Sequence, residues 1–67
     1  MNIGKAIKIA RIQAGYNTQK ELAQEWGKSP QYVSQLEKPT SNPSKEALLE
    51  IAELLHMDLV IEFRKKD

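Results

Sequence analysis

The chain of 67 residues is long enough for one small domain, and its lack of cysteine excludes disulfides and thiolate metal sites. No apolar run could span a membrane and the first residues lack a signal-peptide core, so we expect a cytoplasmic protein. The net charge of +1 is unevenly distributed, because residues 1–43 carry six basic and three acidic side chains, whereas residues 44–67 carry four basic and six acidic. This asymmetry weakly favours nucleic acid as the partner of the N-terminal half; a scatter of solubilising charges is the alternative.

The spacing of apolar residues predicts two helices in the first half of the chain. Asn2 is a suitable N-cap for the first helix, and Gly15 is expected to end it. Thr18 is the N-cap candidate of the second helix, which Gly27 stops. The apolar stripes consist of Ile3, Ala6, Ile7, Ala10 and Ala14 in the first helix, and of Leu22, Ala23 and Trp26 in the second.

The stretch WGKSPQYVSQLE, residues 26–37, predicts a short third helix with an unusual outer face. Ser29 can cap this helix and Pro30 fits its first position, while Val33 and Leu36 face inward. The outer face has neither the charge of a solubility face nor the apolar character of a core face. It is formed by Ser29, Gln31, Tyr32, Ser34 and Gln35.

A loop over residues 38–44, rich in Pro, Ser, Thr and Asn, precedes a fourth helix that Ser44 caps. The apolar stripe of this helix is Leu48, Ile51, Ala52 and Leu55. Residues 57–63 then alternate with period two, which is typical of a β-strand, and the apolar set is Met57, Leu59, Ile61 and Phe63. The chain offers no second strand, so either another copy supplies the partner or a short fifth helix lies there instead.

The second and third helices have the spacing of a helix-turn-helix. Two closely crossing helices need a small residue, which is Ala23, and the turn four residues later needs a positive φ, which Gly27 tolerates. Six residues further on, Val33 can anchor the third helix in the core. The sequence therefore predicts this motif.

Here the chain resembles the phage-repressor (Xre-type) helix-turn-helix family, from about Ile3 to Leu55. RIQAGYNTQKELAQEWG with SQLE is similar to the family's Arg-x-x-x-G…T-Q-x-x-L-A…G…I-S-x-x-E pattern, and NPSKEALLEIAELL to its fourth helix. Gly15 and Leu22 are one residue further apart than usual, so we expect a longer loop between the first two helices. Lys28 stands where many members have an apolar residue or threonine. The resemblance implies a mostly α, lambda-repressor-like domain of four helices over residues 1–56.

The resemblance also implies that the third helix is a recognition helix in the major groove of double-stranded DNA. Glutamine can bond adenine bidentately, serine can bond any base, and an aromatic ring can meet a thymine methyl. The base-reading candidates are therefore Ser29, Gln31, Tyr32, Ser34 and Gln35. The candidates for phosphate contacts are Gln19, Lys20, Lys28, Lys38, Thr40 and Ser41. For any single lysine, a solvated surface charge is an equally good interpretation.

Other residues are interpreted as structural. Arg11 and Glu37 are similar to a pair that forms a largely buried salt bridge in the family, and Trp26 lies on a core stripe. His56 has no second metal-ligand candidate within helical reach beyond Glu53, so we predict no metal site. The sequence contains no Ser/His/Asp arrangement and no phosphate-binding glycine loop, so we predict neither enzymatic activity nor a cofactor.

The tail resembles the HipB-type antitoxins, in which a C-terminal strand of each protomer pairs across a two-fold axis. That resemblance implies that residues 57–67 are a dimerisation strand and tail, with Met57, Leu59, Ile61 and Phe63 in the dimer contact. Proteins of that group repress their own operon and bind a kinase-like toxin. We therefore predict a homodimeric, sequence-specific repressor of a palindromic operator and the antitoxin of a toxin–antitoxin operon. The alternatives are a Cro-like phage regulator and a protein-interaction module that has lost DNA binding.

Overall fold

The computed structural model describes residues 2–60, which form a mostly α domain. Its four helices are α1 (Ile3–Gln13), α2 (Gln19–Trp26), α3 (Pro30–Leu36) and α4 (Lys45–Leu54). The predicted mostly α class with four helices is confirmed. None of the helices within residues 2–60 is long and apolar enough to cross a membrane.

Each helix begins at a polar side chain that satisfies a free backbone N–H group. The side-chain oxygen accepts a hydrogen bond from the backbone three residues later, at 2.9 Å for Asn2 and 3.1 Å for Thr18, Ser29 and Ser44. Such a cap contributes about 1 kcal/mol to helix stability. These caps depend only on local sequence, which is why the helix starts were predictable.

One or two residues after the last residue of α1, α2 and α4, the chain adopts a left-handed backbone conformation. The left-handed residues are Gly15 at φ 98°, Gly27 at φ 76° and His56 at φ 56°. In each case the following N–H group donates to a carbonyl five residues earlier: Tyr16 to Arg11 at 3.1 Å, Lys28 to Ala23 at 3.0 Å, and Met57 to Ala52 at 2.8 Å. This arrangement satisfies a free carbonyl and turns the chain sharply, so the helices can pack against one another.

The core is centred where α2 packs against α3, and both α1 and α4 contribute to it. Leu22 and Val33 are completely buried, and Ala23 is only 1% exposed. Burial of each large apolar side chain contributes about 1.5–3 kcal/mol. The buried cluster consists of Ile7, Leu22, Ala23, Val33, Leu36, Ile51 and Leu55.

The predicted strand begins in the segment that follows α4. Its described part, residues 57–60, is neither strand nor helix in the single chain, whereas residues 61–67, with Ile61 and Phe63, lie outside the described residues. Met57 packs against the core, and Met57 and Asp58 line a groove between α1 and α4. Strand pairing between two copies therefore stays a prediction.

Candidate nucleic-acid interface

The turn between α2 and α3 has the geometry that a helix-turn-helix requires. Ala23 is buried against α3, Gly27 adopts the left-handed conformation, and Val33 is completely buried. Because Val33 and Leu36 anchor the inner side of α3, the rotation of this helix about its axis is determined by the core. The opposite side of α3 is consequently held in a defined orientation.

Gln31 and Gln35 are the most clearly presented residues on that outer side. Both are exposed, and because they lie four residues apart on α3 they project from neighbouring turns of one face. Ser29 is also exposed, but its hydroxyl oxygen caps α3, so it is the hydroxyl hydrogen that is available to an acceptor. Ser34 is half-buried, so α3 presents a narrower polar face than the sequence indicated.

The side chain of Tyr32 packs partly against the core, whereas the sequence predicted that it lies on the outer face of α3. Its ring is half-buried and meets Trp26 edge-on, with ring centroids 5.3 Å apart and an angle of 61° between the planes. The apolar ring leans toward the core because contact with the indole removes apolar surface from water. Tyr32 therefore lies at the boundary between the core and the face of α3.

Lys28 completes a small cluster with these two rings. Its Nζ lies 5.5 Å from the ring centre of Tyr32 and 6.0 Å from that of Trp26, within the range of a cation–π contact. We refer to the two rings that contact Lys28, those of Trp26 and Tyr32, as the aromatic clamp. Sequence reasoning missed it, although the four-residue spacing of Lys28 and Tyr32 was a possible signal.

Arg11 and Glu37 form a buried ion pair that joins α1 to the end of α3. Arg11 Nε lies 2.7 Å from Glu37 Oε2, and the two side chains are only 5% and 3% exposed. Arg11 Nη1 also donates to the carbonyl of Tyr16 at 2.7 Å, and Gln19 Nε2 donates to Glu37 Oε1 at 3.0 Å. Gln19, a candidate for a phosphate contact, is half-buried. One N–H of its side-chain amide donates to Glu37, and the other N–H remains for a second acceptor.

A cleft of about 330 Å³ brings base-reading and phosphate candidates together at the end of α3. Gln35 contributes from the helix, and Lys38, Thr40 and Ser41 contribute from the loop that follows. The Oγ atom of Ser41 is buried and has no hydrogen-bond partner among the described residues. Lys20, in the first turn of α2, is exposed but does not line this cleft.

Comparison with known proteins agrees with this geometry. Two closely packed helices joined by a short turn at a left-handed glycine, the second of them anchored by its inner side, have the arrangement of a helix-turn-helix protein. A family model described as "Helix-turn-helix" matches residues 7–61, and the chain belongs to this family. It is accordingly a DNA-binding transcription regulator, of a family that is typically non-enzymatic. No curated protein and no solved structure matches the chain.

Proposed function

We propose that this protein is a sequence-specific transcriptional repressor that reads its operator with α3. The observation that carries this proposal is the exposed pair Gln31 and Gln35 on a helix whose opposite side is anchored by Val33 and Leu36. Each glutamine amide offers both a donor and an acceptor, which matches the N6 and N7 atoms of adenine. Rigid presentation matters because a base contact contributes specificity only when its geometry is held.

Contacts with the DNA backbone would come from both sides of α3. Lys28 precedes the helix and Lys38 follows it, and both are exposed; Lys20 is exposed on α2. Thr40 and Ser41 share the cleft with Gln35, so their hydroxyl groups are candidates for the phosphate that adjoins the base read by Gln35. Such contacts position the helix without distinguishing between sequences.

We propose that the repressor acts as a homodimer on a palindromic operator. The groove between α1 and α4 supports a dimer contact, because its lining is mainly apolar and its volume is about 140 Å³. Leu59, which follows the groove residues Met57 and Asp58 and belongs to the predicted dimer contact, is only half-buried in the single chain. A second copy of residues 57–63 would cover apolar surface here and provide a strand partner, which residues 2–60 of the same chain do not offer.

We further propose that this repressor is cytoplasmic and that it is the antitoxin of a toxin–antitoxin operon. The antitoxin assignment rests on the resemblance of the tail to HipB-type antitoxins, so the partner would be a kinase-like toxin. Co-expression with the neighbouring reading frame tests it: the two products should copurify, and this protein should relieve growth inhibition by the other. A neighbouring product that neither binds nor inhibits growth would contradict the antitoxin role and leave DNA repression intact.

The experiment for the repressor itself is titration of the protein's own promoter DNA, followed by fluorescence anisotropy. The wild-type protein should bind this DNA far more tightly than a scrambled sequence of equal composition. Log affinity should fall roughly linearly with log salt concentration, because lysine–phosphate contacts release counterions. Equal affinity for both DNAs would reject sequence-specific binding to this promoter, and absence of binding to either DNA would favour a protein-interaction module.

A further inference from the structure

We infer that the aromatic clamp of Trp26 and Tyr32 positions the ammonium group of Lys28 for one phosphate of the DNA backbone. This inference rests on the proposed DNA-binding function and assigns a role to Trp26, which has none in base reading. Trp26 is a positioning residue in this view, because it would act on DNA only through Lys28.

The position of Lys28 in the chain makes its backbone rigid. It directly follows Gly27 in the turn, and its N–H group donates to the carbonyl of Ala23 at 3.0 Å. The next residue, Ser29, caps α3. The Cα of Lys28 is therefore held at the junction of α2 and α3, and only the flexible side chain remains to be ordered.

The two rings order that side chain. Nζ lies 5.5 Å from the centre of Tyr32 and 6.0 Å from that of Trp26, so the ammonium group is attracted by both π-systems. Among residues 2–60, the ion pair with an N···O distance within 4.0 Å is Arg11–Glu37. Lys28 therefore forms no ion pair with a carboxylate of these residues, and its ammonium group faces the two rings. A lysine stem has many rotamers, and restricting them before binding lowers the entropic cost of contacting a phosphate.

The indole of Trp26 contacts both α4 and the core. Its Nε1–H group donates to Oε1 of Glu50 on α4 at 3.4 Å, a long hydrogen bond, and its ring packs against the core. The indole of this α2 residue thereby contacts α4, and its edge-on contact with Tyr32 reaches α3. The aromatic clamp thus connects the position of Lys28 to the packing of three helices.

A phosphate is the acceptor that fits this arrangement best. Lysine acts as a compact point charge with three N–H donors, which suits a phosphate oxygen. Lys28 is exposed and adjoins the face that carries Gln31. A backbone phosphate beside the bases read by α3 would lie within the same footprint.

The test is a double-mutant cycle of Trp26→Leu and Lys28→Ala, measured by affinity for promoter and scrambled DNA across a salt series. Lys28→Ala should weaken both DNAs by a similar factor and reduce the salt slope by about 0.9 per half-site. Trp26→Leu should weaken binding roughly two- to fivefold per half-site in the wild-type background, and should have no effect in the Lys28→Ala background. Trp26→Phe, which keeps a ring, should restore most of the loss, and circular dichroism should establish that each variant is folded.

Nuclear magnetic resonance of the free protein provides an independent readout. Ring currents should shift the ε-CH₂ protons of Lys28 upfield in the wild type, and Trp26→Leu should reduce that shift. Additive losses in the cycle, tighter DNA binding by Trp26→Leu, or a loss by Lys28→Ala confined to the promoter would each overturn the inference. Absence of DNA binding by the wild-type protein would instead reject the proposed function, whatever the shift of Lys28.

Discussion

Gly4 of α1 lies directly against the main-chain carbonyl of Lys38, just after the end of α3. A Cβ atom at Gly4 would collide with that oxygen and would approach the carbonyl oxygen of Glu37 to 2.7 Å. Both obstacles are backbone atoms, which cannot rotate away as a side chain can. The close approach of the two segments therefore requires glycine at this position of the helix.

Gly4→Ala should destabilise the protein even though alanine is the better helix former. The helix propensity gain of about 1 kcal/mol should be outweighed by the displacement of α1 from the backbone of residues 37–38, for a net loss of about 1–3 kcal/mol. Urea denaturation measures this change. Lys5→Ala, at the next and exposed position, is the control and should alter stability by less than about 0.5 kcal/mol. Equal or greater stability of Gly4→Ala would contradict the close packing.

Glu37→Ala should be among the most damaging single changes, because it leaves the guanidinium of Arg11 buried without its carboxylate. The expected cost is about 3–5 kcal/mol, measured by thermal or urea unfolding. The matched control is the double variant Arg11→Met with Glu37→Leu, which removes both charges at similar volume and should recover most of the loss. If the double variant is as unstable as Glu37→Ala, the packing around the pair rather than the unpaired charge is responsible.

His56→Gly should stabilise the protein. His56 has φ 56° and ends α4 in the turn that glycine adopts without a steric penalty. The gain should be about 0.5–1 kcal/mol after allowance for the greater freedom of glycine in the unfolded chain. His56→Ala retains the Cβ atom and should show no such gain, so the difference between the two variants isolates the backbone effect. A destabilised glycine variant would mean that the histidine side chain itself stabilises the fold.

Mutations of base-reading residues and of phosphate-contacting residues should have different effects on the affinities for operator DNA and for random DNA. Gln31→Ala or Gln35→Ala should cost ~1–3 kcal/mol on the operator and little on random DNA, because only base contacts distinguish sequences. Lys20→Ala or Lys38→Ala should weaken both DNAs by similar factors and lower the salt slope. Competition titrations against random DNA measure the difference. Glutamine variants that lose affinity equally on both DNAs would show that the two roles have been assigned wrongly.

Removal of the tail should produce a monomer. Truncation after His56, or Ile61→Asp alone, should abolish dimerisation, since each buried large apolar side chain contributes about 1.5–3 kcal/mol to the contact. Sedimentation velocity at micromolar concentration measures the state, and DNA binding should weaken although α3 is unchanged. A truncated chain that remains dimeric would place the contact elsewhere, on α1 and α4, and would favour an ordinary phage-type regulator over an antitoxin.

Much of the fold follows from the sequence because its determinants are local. Asn2, Thr18, Ser29 and Ser44 each cap a helix through a bond that reaches only three residues, so the residue types that make these bonds can be recognised in the local sequence. The apolar stripes and the left-handed turn at Gly27 are equally local. These features were sufficient to predict four helices and the helix-turn-helix, and they placed Gln31 and Gln35 on its outer face.

Only the tertiary structure decided which polar and aromatic side chains remain available. Gln19 donates to Glu37, eighteen residues away, and Tyr32 leans onto Trp26 instead of standing free on the face of α3. The close approach of Gly4 to Lys38 is likewise a contact between segments remote in sequence. No periodicity encodes such contacts, because they depend on how far apart and at what angle whole helices pack, and that is set by the combined volume of the core rather than by any one residue.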